Sequence, residues 1–336
     1  RRRAKPGGHS RREVPGGLGT RPEQPLETLQ TTNMTRLIAI DWGTSSLRGA
    51  LLDPSGQVIE ERSDARGILT VPEGGFPAVF ESLFGDWMRL EDTRCLISGM
   101  AGSKQGWVEA PYCPCPAGRV EVGRSIIATD AIPGARIAIV PGLSDEHAGV
   151  PDVMRGEEVQ ILGAMTITGL DDGVFVLPGT HNKWATVKKG RVAGFRTYMT
   201  GEFYALLSQH SILARTLDAA APLDEAAFLE GVTRSENGHG LLHNAFGTRT
   251  LALFERMPKE ELSSYLSGLL IGEELRTQSV QAVGEVVLIG SSALTQRYTL
   301  ALRATGVATR TLGAEATWAG LHTLSGFLDT DRTPAP

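Results

Sequence analysis

Short apolar runs punctuated by glycine and proline set the pattern of this chain. Leu37–Asp41, Leu47–Asp53 and Gln57–Arg62 are rich in apolar and β-branched residues and read as three successive strands. Between the second and third lies Asp53-Pro54-Ser55-Gly56, where proline presets φ and glycine accepts a positive φ, so a tight turn is expected. Phe76–Met88 has the spacing of an amphipathic helix. Arg94–Ser98 is a short strand ending at Gly99, Gly102–Pro116 a Gly/Pro/aromatic loop, and Arg136–Val140 a buried strand stopped by Pro141-Gly142. Gly156–Leu170 is helical, with Val159, Leu162, Gly163 and Ile167 on one side. Val174–Phe195 then repeats the plan of the opening segment: apolar strand, Gly-Thr loop, second strand, Gly turn, third strand. Helices are expected over Gly201–Ala214, Leu223–Arg234, Ala245–Arg256 and Glu260–Ala282. Strand Glu285–Ile289, helix Leu294–Thr305, strand Thr309–Leu312 and helix Glu315–Leu328 complete the chain. Two antiparallel hairpins, each followed by strand–helix alternation, imply α/β layers in two similar domains facing a cleft.

The length of 336 residues suits two domains. A composition shift at Asp171-Asp172-Gly173 divides them into 34–172 and 173–330, with the last helix expected to pack back on the first domain. Residues 1–33 are rich in Arg, Gly and Pro without hydrophobic period, so a disordered leader is expected, with Met34 as the natural start. The net charge of −5 offers no footprint for nucleic acid, and no run approaches a membrane span. Three cysteines, Cys95, Cys113 and Cys115, make neither a disulfide framework nor a zinc site, which fits a reducing cytoplasm. The oligomeric state is left open, a homodimer included.

Chemistry concentrates in the loops. In Asp41-Trp42-Gly43-Thr44-Ser45-Ser46, a carboxylate ends a buried strand, where it is relieved by facing a cleft and a Mg²⁺ ion. Gly43 permits a close turn, and Thr44, Ser45 and Ser46 offer hydroxyls and amides to phosphate oxygens. Arg48 can add a charge-assisted bond to a moving phosphoryl group. In the second loop, Gly179, Thr180, His181 and Asn182 are the expected phosphate ligands, with Lys183 solvated. Gly290-Ser291 joins a strand to a helix N-terminus and permits close approach of a nucleotide. Taken together, two such loops suit a polyphosphate such as ATP.

The segment LIAIDWGTSSLRGALLD resembles the first phosphate motif of the actin/hexokinase/Hsp70 superfamily. More narrowly, ISGMAGSKQGWVEAPY, VPDVMRGEEVQILGA, LPGTHNKW and MTGEFYALLSQHSIL together resemble the 2-dehydro-3-deoxygalactonokinase family, over Met34 to about Leu328. The resemblance implies two actin-like ATPase (ribonuclease H-like) domains flanking a nucleotide cleft. It also implies ATP and Mg²⁺, and transfer of the γ-phosphoryl group to the 6-hydroxyl of 2-dehydro-3-deoxy-D-galactonate. Where the family reads Ser after the His of its second loop, this chain has Asn182, which can also donate to phosphate.

Phosphoryl transfer needs a carboxylate to orient the attacking hydroxyl. Acids cluster in Pro151–Gln160. Its place resembles the Gly-Asp helix start that carries the base in glycerol- and xylulose-type kinases, making Glu157 the first choice and Asp152 the second. A helix-capping role for either acid stays open. The acceptor's carboxylate and keto oxygen suit Ser103, Lys104 and Gln105, with Trp107 as an apolar wall, or alternatively Arg155. Three rivals stand beside this reading: a kinase for another sugar or sugar acid, a non-catalytic sugar sensor of the same fold, and a phosphatase of the superfamily acting on polyphosphate, which would not explain the Ser98–Tyr112 loop.

Overall fold

The computed structural model describes residues 35–278 and 284–328. The expectations for the leader, for Met34 as the start and for a helix reaching Ala282 fall outside them.

The first sheet contains β1 (Arg36–Trp42), β2 (Leu47–Leu52), β3 (Val58–Asp64), β4 (Thr93–Gly99), β7 (Ile127–Thr129) and β8 (Ile137–Ile139), in the order β3-β2-β1-β4-β8-β7. β1, β2 and β3 pair antiparallel, whereas β4 runs parallel to β1 and β8 parallel to β4. The second sheet repeats the arrangement with β11 (Gly173–Leu177), β12 (Asn182–Lys188), β13 (Arg191–Tyr198), β14 (Glu285–Ile289) and β15 (Ala308–Leu312), and adds the two-residue β6 (Ala117–Gly118) beyond β13. Its first three strands are again antiparallel, and β14 and β15 parallel. A meander of three strands followed by two parallel strands on the other side of the first, found twice, is the strand order of the actin-like ATPase fold.

Strand alternation buries both faces of β1. Leu37 and Ala39 share a core with β2, β4 and the second sheet, while Ile38, Ile40 and Trp42 pack on Phe76, Phe80 and Phe84 of α1 (Phe76–Met88). Two helices complete the shared core: α3 (Glu157–Thr168), after α2 (Arg119–Arg124), and α9 (Glu315–Ser325). They cross at glycines. A Cβ on Gly163 would lie 1.8 Å from the Ala316 carbonyl oxygen, and one on Gly320 would lie 2.0 Å from that of Val159. α9 also contacts β1 and β4, and its Trp318 indole donates to Glu61 on β3 at 2.5 Å.

The second half adds α4 (Thr200–His210), α5 (Glu225–Arg234), α6 (Leu241–Leu253), α7 (Lys259–Arg276) and α8 (Ser292–Ala304). The segment expected to be a Gly/Pro loop instead contributes one strand to a small third sheet, built from β5 (Tyr112–Pro114), β9 (Gly142–His147) and β10 (Val150–Met154). Its strands are short and polar, and they gain order from β13: Asp145 accepts the Phe195 N–H and Asp152 the Thr197 N–H, each at 2.8 Å. Among the described residues no helix is long and apolar enough to cross a membrane.

Candidate active site

β1 delivers Asp41 to the carboxyl end of the first sheet, level with Arg48 on β2 and Ser98 on β4. Asp41 and Arg48 form an ion pair there. The chain then turns with Gly43 N–H donating to the Ser46 carbonyl at 2.8 Å, leaving Thr44, Ser45 and Ser46 exposed at the tip. The Gly43 amide is thus used inside the turn.

The end of β4 and the start of α3 meet beside Asp41. Gly99 has φ +88°, and a Cβ there would lie 3.1 Å from Asp41 Oδ1; Gly156 has φ +107°, and its Cβ would lie 3.2 Å from Gly99 Cα. Larger residues would push the helix off the strand end. α3 then opens with Glu157, whose Oε2 accepts the Arg155 N–H at 3.0 Å, and Glu158, whose two oxygens accept the Gly156 N–H at 2.9 and 2.7 Å. Burial raises the Glu157 pKa, the Lys183 ammonium pulls it back, and Asp41 pushes it up. Charged groups from β1, α3 and β12 therefore share one space.

Lys183, expected to be solvated, is 5% exposed. Its Nζ donates to the Val153 carbonyl at 3.0 Å and to Thr197 Oγ1 at 2.8 Å, because β12 is paired on both edges and turns this side chain toward β10. Asp152 must be corrected as a candidate base. Its carboxylate is spent on β13, accepting the Thr197 N–H at 2.8 Å and its hydroxyl at 2.6 Å.

Glu158 is wholly buried, and burial followed by the neighbouring Glu157 charge raises its pKa to about 8. A carboxyl whose folded pKa exceeds its unfolded value contributes stability below the unfolded pKa and loses it as pH rises through the folded one. We therefore expect the melting temperature to fall as the pH is raised from the ordinary carboxylate range through about 8. Glu158→Gln, which keeps an acceptor for the Gly156 N–H, should flatten that fall; an unchanged slope in calorimetric melts would refute the assignment.

Arg155 is 9% exposed, donates through Nη2 to the Ala110 carbonyl at 2.9 Å, and lies 4.2 Å over the Tyr112 ring. Among the described residues its Nε and Nη1 have no hydrogen-bond partner, nor do the buried hydroxyls of Ser98 and Ser103. Buried polar atoms are nearly always paired, so these orphaned groups mark a place for a polar ligand. Lys104 and Gln105 lie in the same loop, Lys104 exposed at its tip. Trp107 is a correction: its ring stacks on Phe76 at 6.3 Å and meets Trp42 edge-on at 6.0 Å, inside the α1 aromatic cluster rather than as a cleft wall.

In the second half, Gly290 adjoins Pro178, and Gly201 in the first turn of α4 lies against the Gly179 carbonyl. Thr180, His181 and Ser291 are exposed, with His181 paired to Glu202 at 2.6 Å. Asn182 is not at the surface. It is 2% exposed, its Oδ1 accepts the Gly179 N–H at 2.7 Å, and its Nδ2 donates to Glu274 at 2.8 Å. The Asn182 side chain and the Gly179 amide thus brace the loop from within and are corrected as phosphate ligands. Beside the loop is a mostly apolar cavity of about 120 Å³, lined by Gly179, Thr200, Tyr204, Leu270, Leu294 and Arg297 among others.

The family model for 2-keto-3-deoxy-galactonokinase matches residues 41–324. The chain belongs to this family. The match runs from Asp41 through both loops and into α9. Among relatives, the chain is 36% identical over 290 residues to the "Probable 2-dehydro-3-deoxygalactonokinase DgoK1" of Rhizobium meliloti (strain 1021), covering 84% of this chain and 94% of that protein. It is 34% identical over 293 residues to the 2-dehydro-3-deoxygalactonokinase of Escherichia coli (strain K12), covering 86% and 97%. A crystal structure of a Sinorhizobium meliloti protein assigned as a 2-dehydro-3-deoxygalactonokinase superposes with a TM-score of 0.78 at 35% identity, covering 87% of this chain and 98% of that one.

Proposed function

We propose that this family member transfers the γ-phosphoryl group of ATP to the 6-hydroxyl of 2-dehydro-3-deoxy-D-galactonate. The observation that carries this reading is the meeting of Asp41, Glu157 and Lys183, from three elements, at the start of α3. Glu157 is the base: burial raises its pKa toward working pH, where a carboxylate abstracts a hydroxyl proton more readily. Lys183, pinned by Val153 and Thr197, offsets part of that rise and offers positive charge to the transferring group. The exposed hydroxyls of Thr44, Ser45, Ser46, Thr180 and Ser291 hold the polyphosphate. The cavity beside Tyr204 and Arg297 takes the base of the nucleotide.

Among the described residues no cluster of three or more His, Cys, Asp or Glu side chains is arranged to hold a metal. That fits Mg²⁺, which takes one or two carboxylates and keeps water and phosphate oxygens as its other ligands. Asp41 is the protein's carboxylate for it, in the space kept open by Gly99. The ion would supply charge neutralisation on the phosphate oxygens, while Arg48 exchanges Asp41 for phosphate.

The orphaned donors of Arg155, Ser98 and Ser103 receive the carboxylate and keto group of the sugar acid. Arg155→Met should raise the KM for the sugar acid roughly 10–100-fold, the worth of hydrogen bonds to a charged group, with kcat much less changed. An unaltered KM would move substrate binding elsewhere. The whole reading is tested by ADP release with Mg·ATP across 2-dehydro-3-deoxygalactonate, its gluconate epimer, galactonate, glycerol and glucose. Turnover confined to the keto-deoxy acids supports it; turnover only with a neutral sugar overturns the acceptor. ATP binding without turnover on any member favours a sensor.

A further inference from the structure

Behind the second phosphate-type loop lies a buried charge that the proposed chemistry does not use. Glu274, near the end of α7, is 3% exposed. One carboxylate oxygen accepts the Trp184 indole N–H at 2.5 Å. The other accepts Asn182 Nδ2 at 2.8 Å, the Tyr298 hydroxyl at 2.7 Å and the Thr200 hydroxyl. The four donors come from β12, α8 and the first residue of α4. Asn182 carries the chain of bonds onward, because its Oδ1 accepts the Gly179 N–H at 2.7 Å.

A carboxylate is acceptor-only and so matches a set of converging donors, which a glutamine cannot. Burying the charge is unfavourable, and an apolar side chain of similar size commonly packs at least as well. Net stability therefore does not account for Glu274. What it does account for is geometry: the groups it gathers are the root of the loop 178–182, the N-terminus of α4 and the Tyr298 wall of the cavity beside them. Burial also raises its pKa, while its four hydrogen bonds favour the ionised form.

We propose that Glu274 is a positioning residue for the nucleotide, fixing the loop and the first turn of α4 in the shape that receives the polyphosphate. This rests on reading that loop as a phosphate site. Glu274→Gln places an amide N–H against N–H and O–H donors, so one end of the network must let go. The affinity for a non-hydrolysable ATP analogue with Mg²⁺ should fall roughly 10–30-fold by calorimetry, with the KM for ATP rising in parallel. The KM for the sugar acid should stay within about threefold. Tyr298→Phe, which removes one donor and leaves the charge, should give a smaller shift in the same direction.

A purely structural Glu274 would lower the melting temperature and leave nucleotide affinity alone, or raise both KM values together; either result overturns the proposal. Where Glu274→Gln does not fold, Asn182→Ala and Tyr298→Phe carry the test, and wild-type ATP affinity in both overturns it. Failure of the wild-type chain itself to bind the analogue would remove the nucleotide reading, and this inference with it.

Discussion

Glu157→Gln should lower kcat by about 10²–10⁴-fold, the usual contribution of a positioned general base, while either KM moves less than about fivefold. The substitution is close to isosteric, and the Gln carbonyl can still accept the Arg155 N–H that Glu157 now accepts at 3.0 Å. The start of α3 therefore keeps its shape and only the proton acceptor is lost. The wild-type pH profile supplies a second check. Because burial raises the Glu157 pKa, the acidic limb of kcat/KM should lie above the ordinary carboxylate range, with activity rising as the group ionises. Lys183→Met, which removes the charge that lowers this pKa, should move the limb to still higher pH. A KM effect alone in Glu157→Gln would make the residue a substrate ligand instead.

Asp41→Ala should reduce kcat/KM by roughly 10²–10³-fold, the scale of losing one preorganised electrostatic contact to the transferring group. Asp41 sits at the end of a strand with neighbours on both sides, and its ion-pair partner, Arg48, has a side chain 39% exposed, so water can take over that guanidinium. Little stability is at stake, and the melting temperature should change by only a few degrees. The loss should be partly offset by raised Mg²⁺ if Asp41 holds the ion. Near-wild-type turnover would end the Mg²⁺ assignment, and a collapse in melting temperature would make Asp41 a structural residue.

The two hairpins are legible in the sequence because their strands alternate against buried sheets and their turns carry glycine and proline. The region between them is not. β9 and β10 contain Asp145, Glu146, Pro151 and Asp152, which argue against strands by propensity. They are ordered by carboxylates that cap the edge of β13, a tertiary contact that no local window contains. The same contact removes Asp152 as a base. Lys183 misleads for a related reason: a lysine beginning a strand is usually solvated, and only pairing on both edges and the approach of β10 bury it. Asn182 looks like a ligand because it sits among loop residues, but its partner Glu274 is 92 residues away. Ser98 and Arg155 stand in recognisable motifs, yet their unpartnered donors emerge only once the surrounding chain is in place.

The return of α9 to the first sheet bears on how the chain matures during synthesis. Leu37, Ala39 and Leu96 share a core with Trp318, Leu321 and Leu324. A ribosome that has finished the first sheet must still make most of the second half before the helix that covers this face emerges. Until then a nascent chain exposes an apolar surface, of the kind that chaperones recognise and that aggregates when left uncovered.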